Sequence, residues 1–429
     1  MAHFPRHLRH ALNEALGHSR VVVLHGARQS GKTTLARSVA SERDGTYLTL
    51  DDAGTLDAAL SDPHAFVRGY RYPLVIDEIQ VAGQRLVAAI KMATDTDNTS
   101  GRFLLTGSTN FLTVPTISES LAGRAALLRL LPLSRAELAG IGPPDHLNPG
   151  EGPGALENWF EGRLETLGGA GAERNDYLEM ICAGGYPEAL RRGPRARAAW
   201  FDDYVETVIG RDIVALGDIR RAGLLSALLR LAAANTAGEV NVSDWSQRLG
   251  ADRATVESYL GWLRTVFLIY DLPAWTRNRA ARVVRRPKLH LADSGLAAAL
   301  AGVGPAALRP PTSTITGRLL ETFVVGEVVR QSAPVRPRIA PHHYRDNARR
   351  EVDLILERRD GAVVAIEVKA TSSPRGKDLR HLAHLRDRLD ATEPGAFRAG
   401  VLLHTGTGGL SMGDRLRALP IDVLWAAAR

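Results

Sequence analysis

The sequence predicts an α/β protein whose leading domain is a parallel sheet with helices on both faces. Three observations carry this. From Arg20 to Leu133, the short apolar runs "RVVVLHG", "YLTLDD", "YPLVIDEIQ", "RFLLTGS" and "ALLRLLPLS" alternate with stretches of crossover length. A glycine-rich turn, "GARQSGKTT", joins the first run to a helical segment. The chain has 429 residues, too many for one core, so further domains are expected.

The later elements follow in order. "GIGPPDHLNPGEGPGA", Gly140 to Ala155, is rich in Gly and Pro and reads as a loop or hinge. From Leu156 to about Trp275 the pattern is helical, as in "ARAAWFDDYVETVIGRDIVAL". After Ala292 a mixed region ends in an apolar hairpin, "REVDLILERRDGAVVAIEVKAT". The expected domains are 1–140, 141–290 and 291–429.

Composition excludes several classes. No apolar run approaches about 20 residues, so no membrane span is expected. The stretch "MAHFPRHLRHALNEAL" lacks the apolar centre of a secretory signal. Cys182 is the only cysteine, which rules out a disulfide framework and disfavours a Cys-based zinc site. A reducing cytoplasm fits. The net charge of +7 is compatible with a nucleic-acid partner, and equally with the Arg-rich, Ala-rich composition of a GC-rich genome.

The first glycine-rich turn is the strongest motif. Gly26-x-x-x-x-Gly31-Lys32-Thr33 follows a buried strand and opens a helix, the context a Walker A loop requires. Gly26 and Gly31 let the backbone curl, so that the amides of Ala27, Arg28, Gln29, Ser30, Gly31 and Thr34 point at a phosphate. Lys32 is placed for the β- and γ-phosphates of ATP, and Thr33 for Mg²⁺. "YPLVIDEIQ" supplies the partner strand: Asp77 holds Mg²⁺, through water or directly, and Glu78 is the general base. "FLLTGSTN" offers Ser108, or Asn110, as a γ-phosphate sensor. Arg124, in "SLAGRAALLRL", either neutralises transition-state charge, in its own chain or a neighbour's, or forms a structural salt bridge.

"HGARQSGKTTLA", "YLTLDDAG", "YPLVIDEIQ", "FLLTGSTNFL" and "SLAGRAALLRLLPLSRAEL" together resemble a large bacterial and archaeal family of AAA-type P-loop ATPases. Its members carry a C-terminal domain of unknown function. The likeness extends through "GGYPEAL", "YVETVIGRDI", "KLHLADSGLAAALAG", "GRLLETFVVGEV" and "REVDLILE". It implies architecture more than activity.

Two further segments suggest a partner. In "NVSDWSQRLGADRATVESYLGWLRTVFLIYDLPAW", Ser243 is expected to cap one helix and Asp252 a second, with Gly250 turning the chain between them. A strand and the basic residues Arg277, Arg279, Arg282, Arg285, Arg286 and Lys288 follow. This reads as a winged helix-turn-helix. It either contacts DNA, through Arg253, Thr255 and Ser258 with a basic wing on phosphates, or serves as a packing module.

In the hairpin, pairing Glu357 with Val363 sets Asp353 opposite Glu367, with Lys369 on the same face. Opposed carboxylates repel unless a divalent cation lies between them. Asp, then Glu-x-Lys on the next strand, resembles the PD-(D/E)XK nuclease core, and that resemblance implies Glu321 as a helical acidic partner. The expected metal ligands there are Asp353 and Glu367, and the expected catalytic set is Glu321, Asp353, Glu367 and Lys369. The chain is therefore expected to be a cytoplasmic, Mg²⁺-dependent ATPase coupled to a DNA-directed, nuclease-like C-terminal domain. The alternative is an ATP-switched regulatory or homo-oligomerising scaffold with an inert nuclease-like domain.

Overall fold

The computed structural model describes residues 4–109, 121, 123–141, 155–164, 169–214, 221–282, 285–335 and 338–426. Asn110 and most of the Gly140–Ala155 hinge lie outside them. The chain divides into two compact units. One comprises Arg6–Pro132 with Gly261–Leu268, and the other Met1–Pro5, Leu133–Leu260 and Ile269–Arg429.

In the smaller unit, α1 (Leu8–His18) leads into β1 (Val21–His25), α2 (Lys32–Glu42), β2 (Thr46–Thr49), β3 (Leu74–Asp77), α3 (Gly83–Thr96), β4 (Phe103–Gly107) and β5 (Ala125–Arg129). The strands pair in parallel in the order β2-β3-β4-β1-β5. Alternate side chains feed two cores. Val21, Val23, Ile76 and Leu105 pack on one face with Phe66 and Ile90. Val22, Leu24, Val75 and Leu104 pack on the other with Leu12, Leu16 and Leu35. A sheet buried on both faces explains why its strands read as continuous apolar runs. The polar residues collect at the carboxyl ends of β1, β3 and β4, where open parallel sheets bind ligands.

In the larger unit, α4 (Arg174–Ala183) and α5 (Ala222–Ala234) precede a small antiparallel sheet. Its strands, β6 (Gly238–Glu239), β7 (Ile269–Leu272) and β8 (Lys288–Leu291), lie in the order β6-β8-β7. Between β6 and β7 come α6 (Val242–Leu249) and α7 (Arg253–Thr265), the latter counted with the smaller unit from Gly261 onward. Gly250 takes the left-handed conformation (φ 60°) and Asp252 accepts the Thr255 N–H at 2.8 Å, as the sequence predicts. The α6 cap differs: Asn241, not Ser243, accepts the Asp244 N–H, at 3.3 Å.

Next come α8 (Ser294–Leu300) and α9 (Thr314–Ser332). Strands β9 (Ala340–Arg345), β10 (Glu351–Glu357) and β11 (Val363–Lys369) form an antiparallel meander. Helix α10 (Arg380–Thr392) crosses back, and β12 (Phe397–His404) pairs with β11 in parallel. β13 (Leu410–Ser411) and β14 (Leu416–Pro420) complete the six-stranded order β13-β14-β12-β11-β10-β9. Val352, Ile355, Val363, Ala365 and Leu402 pack against Leu382, Leu385 and Leu389 of α10. Among the described residues, no helix is long and apolar enough to cross a membrane.

The quoted stretches "GGYPEAL", "ADSGL" and "GEV" converge within this unit. The Gly185 N–H donates to Asp293 Oδ2 at 2.7 Å, and Asp293 also caps α8 through the Leu296 N–H at 3.0 Å. Arg330 lies 3.5 Å from Asp293 and 2.9 Å from Glu327, which accepts the Arg135 N–H at 2.8 Å. These motif residues form a buried joint.

Candidate nucleotide site and the C-terminal carboxylate cluster

The loop between β1 and α2 is shaped by backbone requirements. A Cβ on Gly26 would lie 2.1 Å from the Leu130 carbonyl oxygen, so only glycine fits there. Gln29 (φ 61°) and Gly31 (φ 99°) both take positive φ, which folds the loop amides inward over the start of α2. Lys32 is buried, and its ammonium donates to the carbonyls of Gly26 and Ala27, both at 2.9 Å. The Ser30 hydroxyl is buried and has no hydrogen-bond partner among the described residues. A curled loop with a folded-back lysine and an orphaned hydroxyl fits a phosphate group.

Asp77, buried at the end of β3, accepts from the Thr33 hydroxyl at 2.9 Å. Thr33 and Asp77 thus present hard oxygens side by side, a donor set suited to Mg²⁺. Glu78 follows in the left-handed conformation (φ 58°, ψ 46°), and Gln80 donates to its carboxylate. Gln80 also reaches Ser108 Oγ at 3.3 Å. The structure therefore brings together Gly26, Ala27, Gly31, Lys32, Thr33, Asp77, Glu78 and Ser108 at one end of the sheet. Arg28 and Thr34 belong to the same loop and helix start.

Several neighbours escaped the sequence reading. Tyr47 donates to Asp77 Oδ2 at 2.6 Å, and the Thr106 hydroxyl donates to Asp77 Oδ1. Burial and the Asp77 hydrogen bond push the Tyr47 phenol up to about 12. Thr106 follows Leu105, which pairs with Ile76, so its polar side chain at the level of Asp77 was the available signal. Arg6 donates to the carbonyls of Ser30 and Leu131 at 2.7 and 2.6 Å, from a region with no motif. His25 meets Phe267 edge-on, with ring centroids 5.3 Å apart. Burial, with Arg129 and Lys32 nearby, lowers the His25 pKa to about 4.

Arg124 forms a two-point ion pair with Asp95 of its own chain, at 2.7 and 3.3 Å. This is the structural salt bridge the sequence left open beside a catalytic role.

In the C-terminal set, a lysine from outside the pattern joins the acidic residues. The hairpin register is the one the spacing predicts, with Glu357 opposite Val363 and Leu354 opposite Ile366. Asp353 Oδ2 accepts the Val368 N–H at 2.8 Å, and Glu367 Oε1 accepts from Lys369 Nζ at 2.6 Å. Burial, with the Asp353 charge, pushes the Glu367 carboxyl up to about 8. Glu321, however, faces a lysine: Lys288 Nζ lies 2.6 Å from Glu321 Oε1, 2.5 Å from Glu351 Oε1 and 3.5 Å from Asp353 Oδ1. Among the described residues, no group of three or more His, Cys, Asp and Glu side chains is placed to hold a metal ion. Lys288 and Lys369 set ammonium groups against the carboxylates where the metal is expected, while Glu367 Oε2 is buried with no hydrogen-bond partner among the described residues.

Three arginines of the basic stretch expected as a wing are committed internally. Arg277 lies 2.6 Å from Glu393, and Arg282 forks onto Glu357 at 2.6 and 3.0 Å. Arg285 donates to the Arg345 carbonyl at 2.6 Å. Arg286 is exposed.

The curled loop, with its buried lysine and the Thr33–Asp77 pair on a parallel sheet, defines a P-loop ATPase domain. Residues 18–139 match the family described as an AAA domain. Residues 174–307 and 316–424 match two domains of unknown function, DUF8612 and DUF4143. The chain thus carries an AAA-type P-loop domain and a DUF4143 domain. Two uncharacterized proteins, of Mycobacterium tuberculosis and Mycobacterium bovis, are each 29% identical over 365 residues, covering 85% of this chain and 73% of theirs. Among solved structures, a Walker-type ATPase of Pyrococcus abyssi is 16% identical, with a TM-score of 0.36, over 68% of this chain and 94% of that one. The RuvB Holliday junction branch migration motor of Thermotoga maritima is 19% identical, with a TM-score of 0.27, over 62% and 89%. Both overlaps are loose, and the class of the first domain rests on the family match and the loop geometry.

Proposed function

We propose that this protein binds and hydrolyses Mg²⁺-ATP, and that its nucleotide state acts as a switch on the C-terminal half, whose nuclease-like domain is an inert scaffold. The observation that carries the ATPase reading is the Thr33–Asp77 hydrogen bond beside buried Lys32, with Glu78 as the next residue. Lys32 would move from the loop carbonyls onto the β- and γ-phosphates. Thr33 and Asp77 would hold Mg²⁺, and Glu78 would take the proton of the attacking water. When bound, Mg²⁺ supplies charge neutralisation on the phosphates.

Two observations support the inert reading of the C-terminal domain. The succession α9-β9-β10-β11-α10-β12 has the layout expected of a nuclease-like core. Its carboxylates are nonetheless engaged by Lys288 and Lys369. DNA contact is the second reading, favoured by the two helices that follow β6 in the chain and the β6-β8-β7 sheet, the elements expected of a winged helix. The internal pairing of Arg277, Arg282 and Arg285 weakens its phosphate-gripping part. Duplex binding that weakens steeply with salt would favour DNA contact.

The decisive test is nucleotide binding by full-length protein, wild type against Lys32→Ala, with a fluorescent ATP analogue. Loss of binding in the variant is the expected result. Unchanged affinity would sink the ATPase reading.

A further inference from the structure

We propose that Lys288 is the resident counter-ion of the C-terminal carboxylate cluster: it holds the place of a divalent cation and makes the cluster a fixed joint between strand β8 and the nuclease-like sheet. This rests on reading that domain as nuclease-like in layout.

The acidic groups come from two elements, Glu321 from α9 and Glu351 and Asp353 from β10. Lys288 comes from neither. It stands at the first position of β8, a strand of the small sheet, and is 3% exposed. A buried lysine is tolerated only when paired, and this one is paired more than once. An ammonium has three N–H donors. Here its nitrogen lies 2.6 Å from Glu321, 2.5 Å from Glu351 and 3.5 Å from Asp353. Burial alone would lower the lysine pKa, but Glu321, Asp353 and Glu351 more than offset it and raise it above the ordinary value.

A metal would need the same oxygens. Mg²⁺ demands about six oxygen ligands in near-octahedral array at roughly 2.0–2.1 Å. Glu321 and Glu351 each have one oxygen bound to Lys288. Asp353 Oδ1 lies within ion-pair reach of the same nitrogen, and Asp353 Oδ2 accepts from Val368. Glu367 Oε1 is taken by Lys369, which leaves Glu367 Oε2 buried without a hydrogen-bond partner among the described residues. A divalent ion entering here would meet a positive charge at its own ligands. Lys288 lies outside the Asp…Glu-x-Lys pattern, so that pattern alone cannot report that its site is already filled.

The test is Mn²⁺ binding, followed by electron paramagnetic resonance, to the nucleotide-free full chain. Asp77→Asn is present throughout to silence the phosphate loop. With Lys288 intact, no stoichiometric Mn²⁺ is expected. Lys288→Met should melt at lower temperature in metal-free buffer and gain about one Mn²⁺ per chain, and the ion should restore melting temperature. Adding Asp353→Asn should abolish the gain. Two results would overturn the proposal. One is stoichiometric Mn²⁺ with Lys288 intact that disappears on Asp353→Asn, a measurement that does not depend on the methionine variant folding. The other is a Lys288→Met protein that melts as wild type and gains no ion. Neither result touches the nucleotide reading, which Lys32→Ala tests separately.

Discussion

Glu78 pairs an unusual backbone with a placed side chain. A glutamate at φ 58°, ψ 46° is uncommon away from glycine-like positions, and such conformations concentrate at functional sites. The turn sends the chain sharply away from β3, while Gln80 donates to the Glu78 carboxylate and reaches Ser108 at 3.3 Å. Gln80 thus positions the Glu78 carboxylate and ties it to the end of β4. If Glu78 is the base, Glu78→Gln keeps the shape and the nucleotide contacts and removes only the proton acceptor. ATP affinity should stay within a few-fold of wild type, and turnover should fall by at least about 100-fold. A steady-state phosphate-release assay beside an analogue titration separates the two. A variant that hydrolyses at the wild-type rate would move the base elsewhere.

At the scale of elements, the glycines of "GGYPEAL" are dictated by what they touch. A Cβ on Gly184 would lie 2.1 Å from Asp293 Oδ1, and its φ of 66° disfavours any side chain. Asp293 has little room to retreat, because the Gly185 N–H, the Leu296 N–H and Arg330 hold it. Gly184→Ala should therefore cost more than about 2 kcal/mol, read as a lower urea midpoint, whereas Gly193→Ala, which meets nothing within 4 Å, should be near neutral. Equal effects would mean the joint is soft. This joint marks what could be read from residues alone. The five parallel strands, the phosphate loop and the hairpin register were legible, because each is a local pattern: an apolar run, a fixed spacing, a two-residue alternation. The partners of those patterns were not legible. Lys288 and Glu321 are 33 residues apart, Arg282 and Glu357 are 75, and no period links them. Arg277 and Arg282 looked free for phosphates only because their carboxylates, Glu393 and Glu357, lie in another stretch of chain.

At the scale of the whole molecule, buried titratable groups of opposite kinds set how stability depends on pH. His25, His342 and His343 are lowered from 6.5 to about 4, each mainly by burial. The unfolded chain takes up protons at these rings first, so their contribution is complete above pH 6.5 and is lost as pH falls toward 4. Glu367 works in the other direction. Burial and the Asp353 charge raise it from 4.5 to about 8, so the folded chain holds a proton that the unfolded chain has released. Its contribution is complete below pH 4.5 and is lost as pH rises through 8, at about 1.4 kcal/mol per pH unit. Between pH 4.5 and 6.5 the two sets oppose each other; above 6.5 the histidines are silent and the carboxyl acts unopposed by them. Melting temperature should therefore decline from pH 6.5 to 8 in wild type, and Glu367→Gln, neutral in both states, should lessen that decline and steepen the loss between pH 6.5 and 4.5, where Glu367 no longer opposes the histidines. The measurement is a series of thermal melts for both proteins in matched ionic strength. An identical alkaline decline in the two would mean that Glu367 is ionised in the folded chain, with Lys369 outweighing its burial.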